Sequence, residues 1–314
     1  MTKSAQNAVH GPRRFDRFRQ SRAAGQSLIV ALVLLGFLTA VMGTVSIELL
    51  TESRISNGRH MQVTAFYIAR AGIEAGVNQL LAAKSPGYEG LGDAWHSSQN
   101  AELRETLLGG NEGHAVGLYK VAYFDVDSGQ ERIGIADEES KLNINKADPA
   151  ALRRLDPAFS EDFVNSIVER RQQRPFLMLS ELTHLKAAPP NFLTKERESL
   201  LTVWGDGKVN INTAPRAVLA SLGIDEGNVK KIEEFRKGTG GPADMGAFKT
   251  LGDAGPYLGG IDEKWLTTSS THFSITAQGY LVDDPEIKCK LRQVVQRGPE
   301  GLEILRFEQL PFER

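Results

Sequence analysis

The stretch from Leu28 to Ile47 constrains the fold more than any other part of this 314-residue chain. It reads LIVALVLLGFLTAVMGTVSI, a run of twenty apolar or small residues without a charge. At about 1.5 Å of rise per residue, such a helix crosses the roughly 30 Å hydrocarbon core of a bilayer. A buried core helix and a secretory signal are the alternatives, but a signal is shorter and is followed by a small-residue cleavage site. The stretch therefore predicts one transmembrane helix over residues 28–47.

Charge lies unevenly around this stretch. Residues 1–25 hold one acid, Asp16, and six basic residues, which are Lys3, Arg13, Arg14, Arg17, Arg19 and Arg22. This segment carries +5, and because the whole chain carries −2, the remaining 289 residues carry −7. Basic residues beside a membrane span stay in the cytoplasm. We therefore expect a single pass through the cell inner membrane, with a cytoplasmic N-terminus and a periplasmic C-terminal region.

A specific pattern joins the basic segment to the apolar run. A single glycine, Gly25, precedes Gln26 and the immediate start of the apolar residues. This arrangement resembles the class III leader of type IV pilins and pseudopilins. The resemblance implies that prepilin peptidase cleaves on the cytoplasmic side, between Gly25 and Gln26. An uncleaved signal anchor is the alternative for a lone glycine at this place.

The fifth position after the implied cleavage departs from the usual pilin pattern. Most pilins carry glutamate there, whereas this chain has Val30. In those families the carboxylate is thought to meet the N-terminal amine of a neighbouring subunit. A subunit at the fibre tip has no neighbour ahead of it, and an unpaired carboxylate in apolar surroundings costs several kcal/mol. Valine removes that cost, and the K-type minor subunit of the type II secretion system shows this substitution.

The helical pattern continues past the apolar run. Apolar residues recur at a spacing of three to four as far as Leu80, which predicts one N-terminal helix over residues 26–82. Within the membrane part, Gly36, Ala40 and Thr44 follow at intervals of four on one face. Together with Val30, these residues are candidates for close packing against another transmembrane helix. The alternative is that small residues are simply frequent in membrane helices.

The region after the helix predicts a β-hairpin. Residues 117–125 and 132–137 are β-like runs, and the turn-forming residues Asp-Ser-Gly-Gln separate them. Asp125, Asp127 and Glu131 alternate as the opening of a calcium loop does. The glycine and the distal glutamate of an EF-hand are missing in register, and a plain hairpin turn accounts for the same residues. We expect no cofactor, with calcium at these three carboxylates as the weak exception.

An internal repeat is the strongest signal in the exported region. The segment Lys141–Ala147 (KLNINKA) returns 67 residues later as Lys208–Ala214 (KVNINTA), and a proline follows each copy. The repeated motif comprises Asn143, Asn145 and Pro149 in the first copy and Asn210, Asn212 and Pro215 in the second. Proline starts helices well and asparagine caps them, so each copy predicts a strand, a capped helix, a turn and a second helix.

The repeat unit resembles the helix-hairpin-helix motif. In its DNA-binding form, the hairpin carries Gly-x-Gly so that backbone N–H groups can approach a phosphate. Neither hairpin of this chain has the glycine pair, and Asp156, Asp225 and Glu226 would repel phosphate. The exported region as a whole is also acidic. We therefore expect no nucleic-acid partner.

The order of these elements resembles the minor pseudopilin K family of the type II secretion system, also called general secretion pathway protein K, over essentially the whole chain. The resemblance implies an α+β fold: a pilin-like long N-terminal transmembrane helix packed on an antiparallel sheet, with an inserted, mainly helical domain that contains two helix-hairpin-helix-like repeats. The closing strands are expected at residues 272–281, 286–296 and 302–310. The expected division is a cleaved cytoplasmic leader (1–25), the N-terminal helix (26–82), early strands of the pseudopilin core (83–136), the inserted domain (137–268, with repeats 137–204 and 205–268) and the C-terminal strands of the core (269–314).

The resemblance implies a structural role and not an enzymatic one. The expected protein caps and helps initiate the periplasmic pseudopilus, with other minor pseudopilins, the inner-membrane platform and prepilin peptidase as partners. The six histidines are scattered, and metal-protease, nucleophile-elbow and phosphate-loop motifs are missing from the sequence. Two alternatives stay open: a minor pilin of a type IV pilus, and a membrane-anchored helix-hairpin-helix protein that binds DNA during uptake.

Overall fold

A computed structural model describes residues 16–83, 87–96, 100–109, 115–238 and 246–311, without the side chains of residues 16–25 and 54. The chain divides into two compact units, Met1–His60 and Met61–Arg314. The elements below are numbered in chain order within the described residues. The helices are α1 (Asp16–Ala82), α2 (Pro149–Leu155), α3 (Glu161–Gln173), α4 (Lys195–Leu200), α5 (Arg216–Ser221), α6 (Glu226–Lys237) and α7 (Leu251–Ala254). The strands are β1 (Thr106–Gly109), β2 (Ala115–Asp125), β3 (Gln130–Ile133), β4 (Ala136–Asp137), β5 (Leu142–Asn143), β6 (Leu201–Thr202), β7 (Val209–Asn210), β8 (Leu266–Thr267), β9 (His272–Leu281), β10 (Lys288–Gly298) and β11 (Gly301–Leu310).

Helix α1 is the one helix among the described residues that is long and apolar enough to span a membrane. It begins at Asp16, ten residues before the predicted start, and ends at Ala82 as predicted. No residue of its most apolar window is buried within the protein. The first half of α1 is therefore a candidate for a single membrane span.

A seven-stranded antiparallel sheet forms the centre of the second unit. Its main strand order is β1-β2-β9-β10-β11, while β3 pairs with β2 and β4 pairs with β9. The predicted hairpin is present as β2 and β3, which meet between Ala122↔Ile133 and Asp125↔Gln130. The second run, expected at 132–137, ends at Ile133, and Ala136–Asp137 pairs with β9 instead. The protein is thus α+β, with a long apolar N-terminal helix and an antiparallel sheet, which is compatible with a pilin-like fold.

The C-terminal part of α1 packs on this sheet through small residues. Ala65, Ala69 and Ile73 are fully buried in a core that also contains Phe273 and Leu291. Glycines on both elements allow the close approach, because a Cβ at Gly279 of β9 would lie 2.6 Å from the carbonyl oxygen of Ala65 and 2.4 Å from the amide nitrogen of Ala69. The helix backbone therefore rests directly on the strand at this point.

Residues between β4 and β9 in the chain have a hydrophobic core of their own. It is built from α2, α3, α5 and α6 with buried aromatic residues that include Phe159, Phe163, Phe192 and Phe248. Two short parallel strand pairs, β5 with β6 and β7 with β8, join the helices. The first strand of each pair lies in the repeated motif. Asn143 of β5 pairs with Thr202 of β6, and Asn210 of β7 pairs with Thr267 of β8.

Candidate functional site

The first repeated segment closes a loop through its two asparagines. The Asn143 Oδ1 atom accepts a hydrogen bond from the backbone N–H of Asn145 at 2.8 Å. The Asn145 side chain then pairs with the backbone of Phe176, donating to its oxygen at 3.0 Å and accepting from its nitrogen at 2.7 Å. The side-chain amide of Asn145 thus makes the pair of hydrogen bonds to Phe176 that the backbone of a neighbouring strand would make, although the two residues are 31 positions apart.

The second segment makes the same bonds. The Asn210 Oδ1 atom accepts from the backbone N–H of Asn212 at 2.9 Å. The Asn212 side chain donates to the oxygen of Phe248 at 2.9 Å and accepts from its nitrogen at 2.7 Å. Phe176 and Phe248 are both buried, so each asparagine fixes an aromatic residue of the helical core.

Residues other than the repeated asparagines cap the helices that follow each motif. Asp148 is the N-cap of α2, where its carboxylate accepts from the N–H of Ala150 at 2.7 Å and Pro149 is the first helical residue. In the second copy Pro215 itself occupies the N-cap position of α5. The asparagines are used instead for bonds between distant segments.

Two arginines that the sequence reasoning missed complete the repeated loops. Arg171 at the end of α3 donates to the carbonyl oxygens of Ile144 at 3.0 Å and Ala147 at 2.9 Å. Arg236 at the end of α6 donates likewise to Ala214 at 2.7 Å and to Ile211. Burial lowers the pKa of Arg236 to about 10. A basic residue at the same place in the last turn of both second helices is the signal that could have identified them.

The two copies meet at equivalent positions. The guanidinium Nε of Arg154, at the end of α2, donates to the carbonyl oxygen of Ser221, at the end of α5, at 2.7 Å. These residues are 67 positions apart, which is the offset of the repeated motif. Helices α2 and α5 therefore pack against each other through corresponding ends.

The copies differ in what the first asparagine contacts. Asn143 donates to the carbonyl oxygens of Trp204 at 2.6 Å and Gly205 at 3.3 Å, which lie in a half-buried loop. Asn210 is fully buried and donates to the Ser270 hydroxyl at 2.8 Å, with Asp137 Oδ2 at 3.3 Å. The second copy is therefore joined to the sheet, because Asp137 belongs to β4 and Ser270 lies two residues before the start of β9.

Four buried carboxylates surround this joint, and we call them the acidic junction. They are Glu89, Asp137, Glu138 and Glu139, each no more than 5% exposed. Three of them have a basic partner: Glu89 pairs with Arg297 at 3.1 Å, Glu138 with Lys141 at 2.6 Å, and Glu139 with the imidazole of His272 at 2.8 Å. Asp137 instead accepts hydrogen bonds from neutral donors, the hydroxyls of Thr213 at 2.5 Å and Ser270 at 2.6 Å and the N–H of Glu139 at 2.8 Å.

Neighbouring carboxylates of the junction have opposite pKa shifts. Burial, followed by repulsion from Glu139, raises the pKa of Asp137 to about 8. Burial alone would raise the pKa of Glu138 too, but the ammonium of Lys141 and the hydroxyls of Ser274 and Thr202 lower it overall. Burial also lowers the pKa of the His96 imidazole, to about 4.

We expect the free energy of unfolding to fall as pH rises from 6.5 to 8. A carboxyl whose pKa is raised by folding binds its proton more tightly in the native state, so Asp137 contributes stability at low pH that is lost up to about pH 8. The slope is up to about 1.4 kcal/mol per pH unit. His96 acts in the opposite direction, mainly at and below its ordinary pKa of 6.5, so it weakens the fall near pH 6.5 without reversing it. Denaturant titration of the detergent-solubilised protein across this pH range measures the slope.

Two variants test whether Asp137 causes this pH dependence of the free energy of unfolding. Asp137→Asn retains a side chain suited to an N-cap position and should abolish the slope between pH 6.5 and 8. Glu138→Gln removes a carboxyl whose pKa is lowered, so it should leave the slope in place. An unchanged slope in Asp137→Asn would show that another group titrates.

The predicted transmembrane residues lie on the exposed surface of the first unit. Val30 is 58% exposed, Ala40 is exposed, and no atom lies within 4 Å of the place where a Cβ on Gly36 would stand. The Thr44 hydroxyl donates to the carbonyl oxygen of Val41 at 2.8 Å, so its polar group has a partner within the helix. Gln26 is also exposed and helical, and Gly25 lies in helical backbone whose surroundings are outside the described residues.

The three calcium candidates face different partners. Asp125 pairs with Arg132 at 2.5 Å and accepts from the Ser128 hydroxyl at 2.8 Å. Asp127 accepts from the backbone N–H of Arg216 at 3.2 Å, and Glu131 pairs with Lys120 at 3.1 Å. Within the described part of the chain, no group of three or more histidine, cysteine, aspartate or glutamate residues is arranged to hold a metal ion.

The hairpins of the repeats present carboxylates to their surroundings. Asp156, between α2 and α3, binds the guanidinium of Arg197 through both oxygens, at 3.0 and 3.3 Å. Asp225, between α5 and α6, caps α6 by accepting from the N–H of Asn228 at 3.1 Å.

The described residues form an exposed apolar helix, two matched asparagine loops and a buried acidic junction. Comparison with protein-family models finds no match to this chain, and comparison with curated proteins finds none either.

Proposed function

We propose that this chain is a minor pseudopilin of a type II protein secretion machinery, without enzymatic activity. In this proposal, residues 28–47 hold it in the inner membrane, with the N-terminus cytoplasmic and the C-terminal region periplasmic. Together with other minor pseudopilins it caps the periplasmic pseudopilus and helps to initiate it. The observation that carries the proposal is one long helix whose first half is apolar and exposed and whose second half packs on an antiparallel sheet.

The exposure of the apolar residues supports membrane insertion. The large apolar side chains from Leu28 to Leu50 are between 42% and 68% exposed. Burial of each such side chain would stabilise the protein by about 1.5–3 kcal/mol relative to exposure to water. A bilayer supplies the apolar surroundings that the rest of this chain does not, and the +5 leader favours the cytoplasmic side for the N-terminus.

The two matched loops support an inserted domain built by duplication. Asn145 and Asn212 make the same pair of bonds to Phe176 and Phe248, and Arg171 and Arg236 hold corresponding carbonyl groups. We infer that residues 137–268 are two helix-hairpin-helix-like repeats inserted into a pilin-like core.

The inserted residues also favour a position at the tip. More than a hundred residues with a separate core stand between β4 and β9. Identical subunits that each carried such a domain would obstruct one another along a fibre, whereas one subunit at the end would not. Val30 agrees with this position, because a subunit without a neighbour ahead of it has no use for a buried carboxylate.

Leader processing tests the assignment. When the protein is expressed with prepilin peptidase and extracted from membranes, we expect mass spectrometry to find Gln26 at the N-terminus. Gly25→Leu should retain the whole leader, because a branched side chain blocks the close approach that glycine allows at the cleaved bond. Gly36→Leu introduces the same side chain where the helix has open space, so it should be processed normally.

A different N-terminus in the wild-type protein would contradict the pseudopilin assignment. Co-purification of the detergent-solubilised full chain with candidate minor pseudopilins tests the tip complex, and failure with all of them would contradict it. A mobility-shift assay at low salt provides the control for the helix-hairpin-helix resemblance. Micromolar DNA affinity with a steep salt dependence would favour a DNA-uptake receptor instead.

A further inference from the structure

The outer edge of β11 is the longest open strand edge of the sheet. Among the described strands, β11 pairs only with β10, and it has ten residues where β1, at the opposite end of the sheet, has four. An open edge presents N–H and C=O groups at the spacing of a strand. Such an edge is a template for a strand from another chain.

Apolar residues flank this edge on the face that carries α1. Ile304 is 59% exposed, and it pairs with the buried Val295, so both residues lie on this face. Phe307 is 40% exposed, with its ring 6.5 Å from that of Phe66 on α1. Tyr67, at 65% exposure, extends the same apolar surface along the helix, with its ring 5.6 Å from that of Phe66.

The opposite face of the edge borders a cleft of about 740 Å³. Arg306 and Glu308 line this cleft, as do Leu177 and Met178 from the loop after α3. The Arg306 guanidinium pairs with Glu308 at 2.9 Å and lies 3.0 Å from the sulfur of Met178, and Leu177 is 62% exposed. A strand added beside β11 would therefore meet apolar surface on the helix face, and charged side chains together with Leu177 and Met178 on the cleft face.

The charges of β11 specify the chemistry of that strand. The register of β10 and β11 shifts between Val294 and Val295, which leaves Leu305 as an extra residue. When Leu305 is skipped, the order along β11 is Glu303, Ile304, Arg306, Phe307 and Glu308, so charged and apolar residues alternate. Opposite charges stabilise facing positions on neighbouring strands, and like charges destabilise them.

We propose that the outer edge of β11 binds an extended segment of another protein, antiparallel, whose residues read basic, apolar, acidic, apolar, basic. A second copy of β11 is a poor occupant in this register, because Arg306 would face Arg306 and Glu303 would face Glu308. The proposal does not depend on the pseudopilin assignment. It identifies where a partner contributes a strand and what that strand contains.

Labelled peptides test the proposal on the full chain in detergent. The probe is Thr-Thr-Lys-Val-Glu-Val-Lys-Thr-Thr, and the control, Thr-Thr-Glu-Val-Lys-Val-Glu-Thr-Thr, has every charge reversed with the same apolar residues. We expect fluorescence anisotropy to give saturable binding of the probe that is about tenfold tighter than that of the control. No saturable binding of the probe, or equal binding of both peptides, would overturn the proposal.

A charge exchange in the protein makes the test specific to β11. Arg306→Glu should weaken binding of the probe and strengthen binding of a peptide in which the central glutamate is replaced by lysine. The gain of binding to the second peptide shows that the variant is folded. Unchanged binding of both peptides would place the binding site elsewhere and contradict the proposal. Loss of binding to both, with an unchanged unfolding curve, would contradict the charge pairing that the proposal states.

Discussion

Gly279→Val is expected to lower the free energy of unfolding by about 3 kcal/mol, because it separates α1 from the sheet. A Cβ at this position would lie 2.4 Å from the amide nitrogen of Ala69 and 2.6 Å from the carbonyl oxygen of Ala65. Both atoms belong to the helix backbone, so no side-chain rotation can relieve the contact. The added methyl groups must push the helix away from β9, and the fully buried Ala65 and Ile73 would lose part of their packing.

Gly109→Val is the matched control for this substitution. Gly109 is an exposed strand residue of β1, and apart from its chain neighbours no atom of the described residues lies within 4 Å of the place where its Cβ would stand. Valine suits strands, so we expect a change within about 0.5 kcal/mol. Denaturant unfolding of the full chain, followed by the fluorescence of the buried Trp95, measures both variants. Equal stability of the two variants would contradict direct contact between α1 and β9.

The elements that the sequence predicted well are those with a strong local period. The three closing strands were expected at 272–281, 286–296 and 302–310, and they are found at His272–Leu281, Lys288–Gly298 and Gly301–Leu310. Alternating apolar residues and the turn residues Asp-Asp-Pro set these bounds within two residues. The helix start was less accurate, since α1 begins at Asp16 within the basic leader, where no apolar period exists.

The acidic junction was beyond sequence reasoning because its members are distant along the chain. Glu89 accepts from the N–H of Ser270, which is 181 positions away, and it pairs with Arg297, which is 208 positions away. Nothing near Glu89 in the sequence indicates burial, since it stands among glycines and a tyrosine in a loop. Only the fold brings these groups together and removes them from water.

The repeated asparagines show how far a motif alone can be interpreted. The motif predicts helix caps at these asparagines, because asparagine before a proline-started helix commonly serves that role. In the structure, their amides bond with backbone groups 31 to 121 positions away. A motif of this kind predicts that its polar side chains make structural hydrogen bonds, whereas the partners in those bonds depend on tertiary packing.

Asn210→Ala is expected to cost about 3–4 kcal/mol of folding free energy, and the equivalent Asn143→Ala about half of that. Truncation of Asn210 leaves the buried N–H of Asn212 without its acceptor and removes a donor close to Asp137 in the acidic junction. Asn143 donates to Trp204 and Gly205, which are half-buried, so water can replace part of what is lost.

Aspartate at the same two positions distinguishes electrostatics from packing. Asn210→Asp adds a fifth carboxylate to the acidic junction and should be at least as destabilising as alanine, more so at pH 8, where Asp137 is losing its proton. Asn143→Asp keeps the acceptor for Asn145 but sets a buried carboxylate oxygen against the carbonyl oxygens of Trp204 and Gly205, so it should be destabilising but less so than Asn210→Asp. Denaturant midpoints at pH 6.5 and 8 rank them. If Asn143→Asp and Asn210→Asp were equally destabilising at both pH values, the two loops would be energetically equivalent. Contacts other than those of the acidic junction would then attach the second repeat to the sheet.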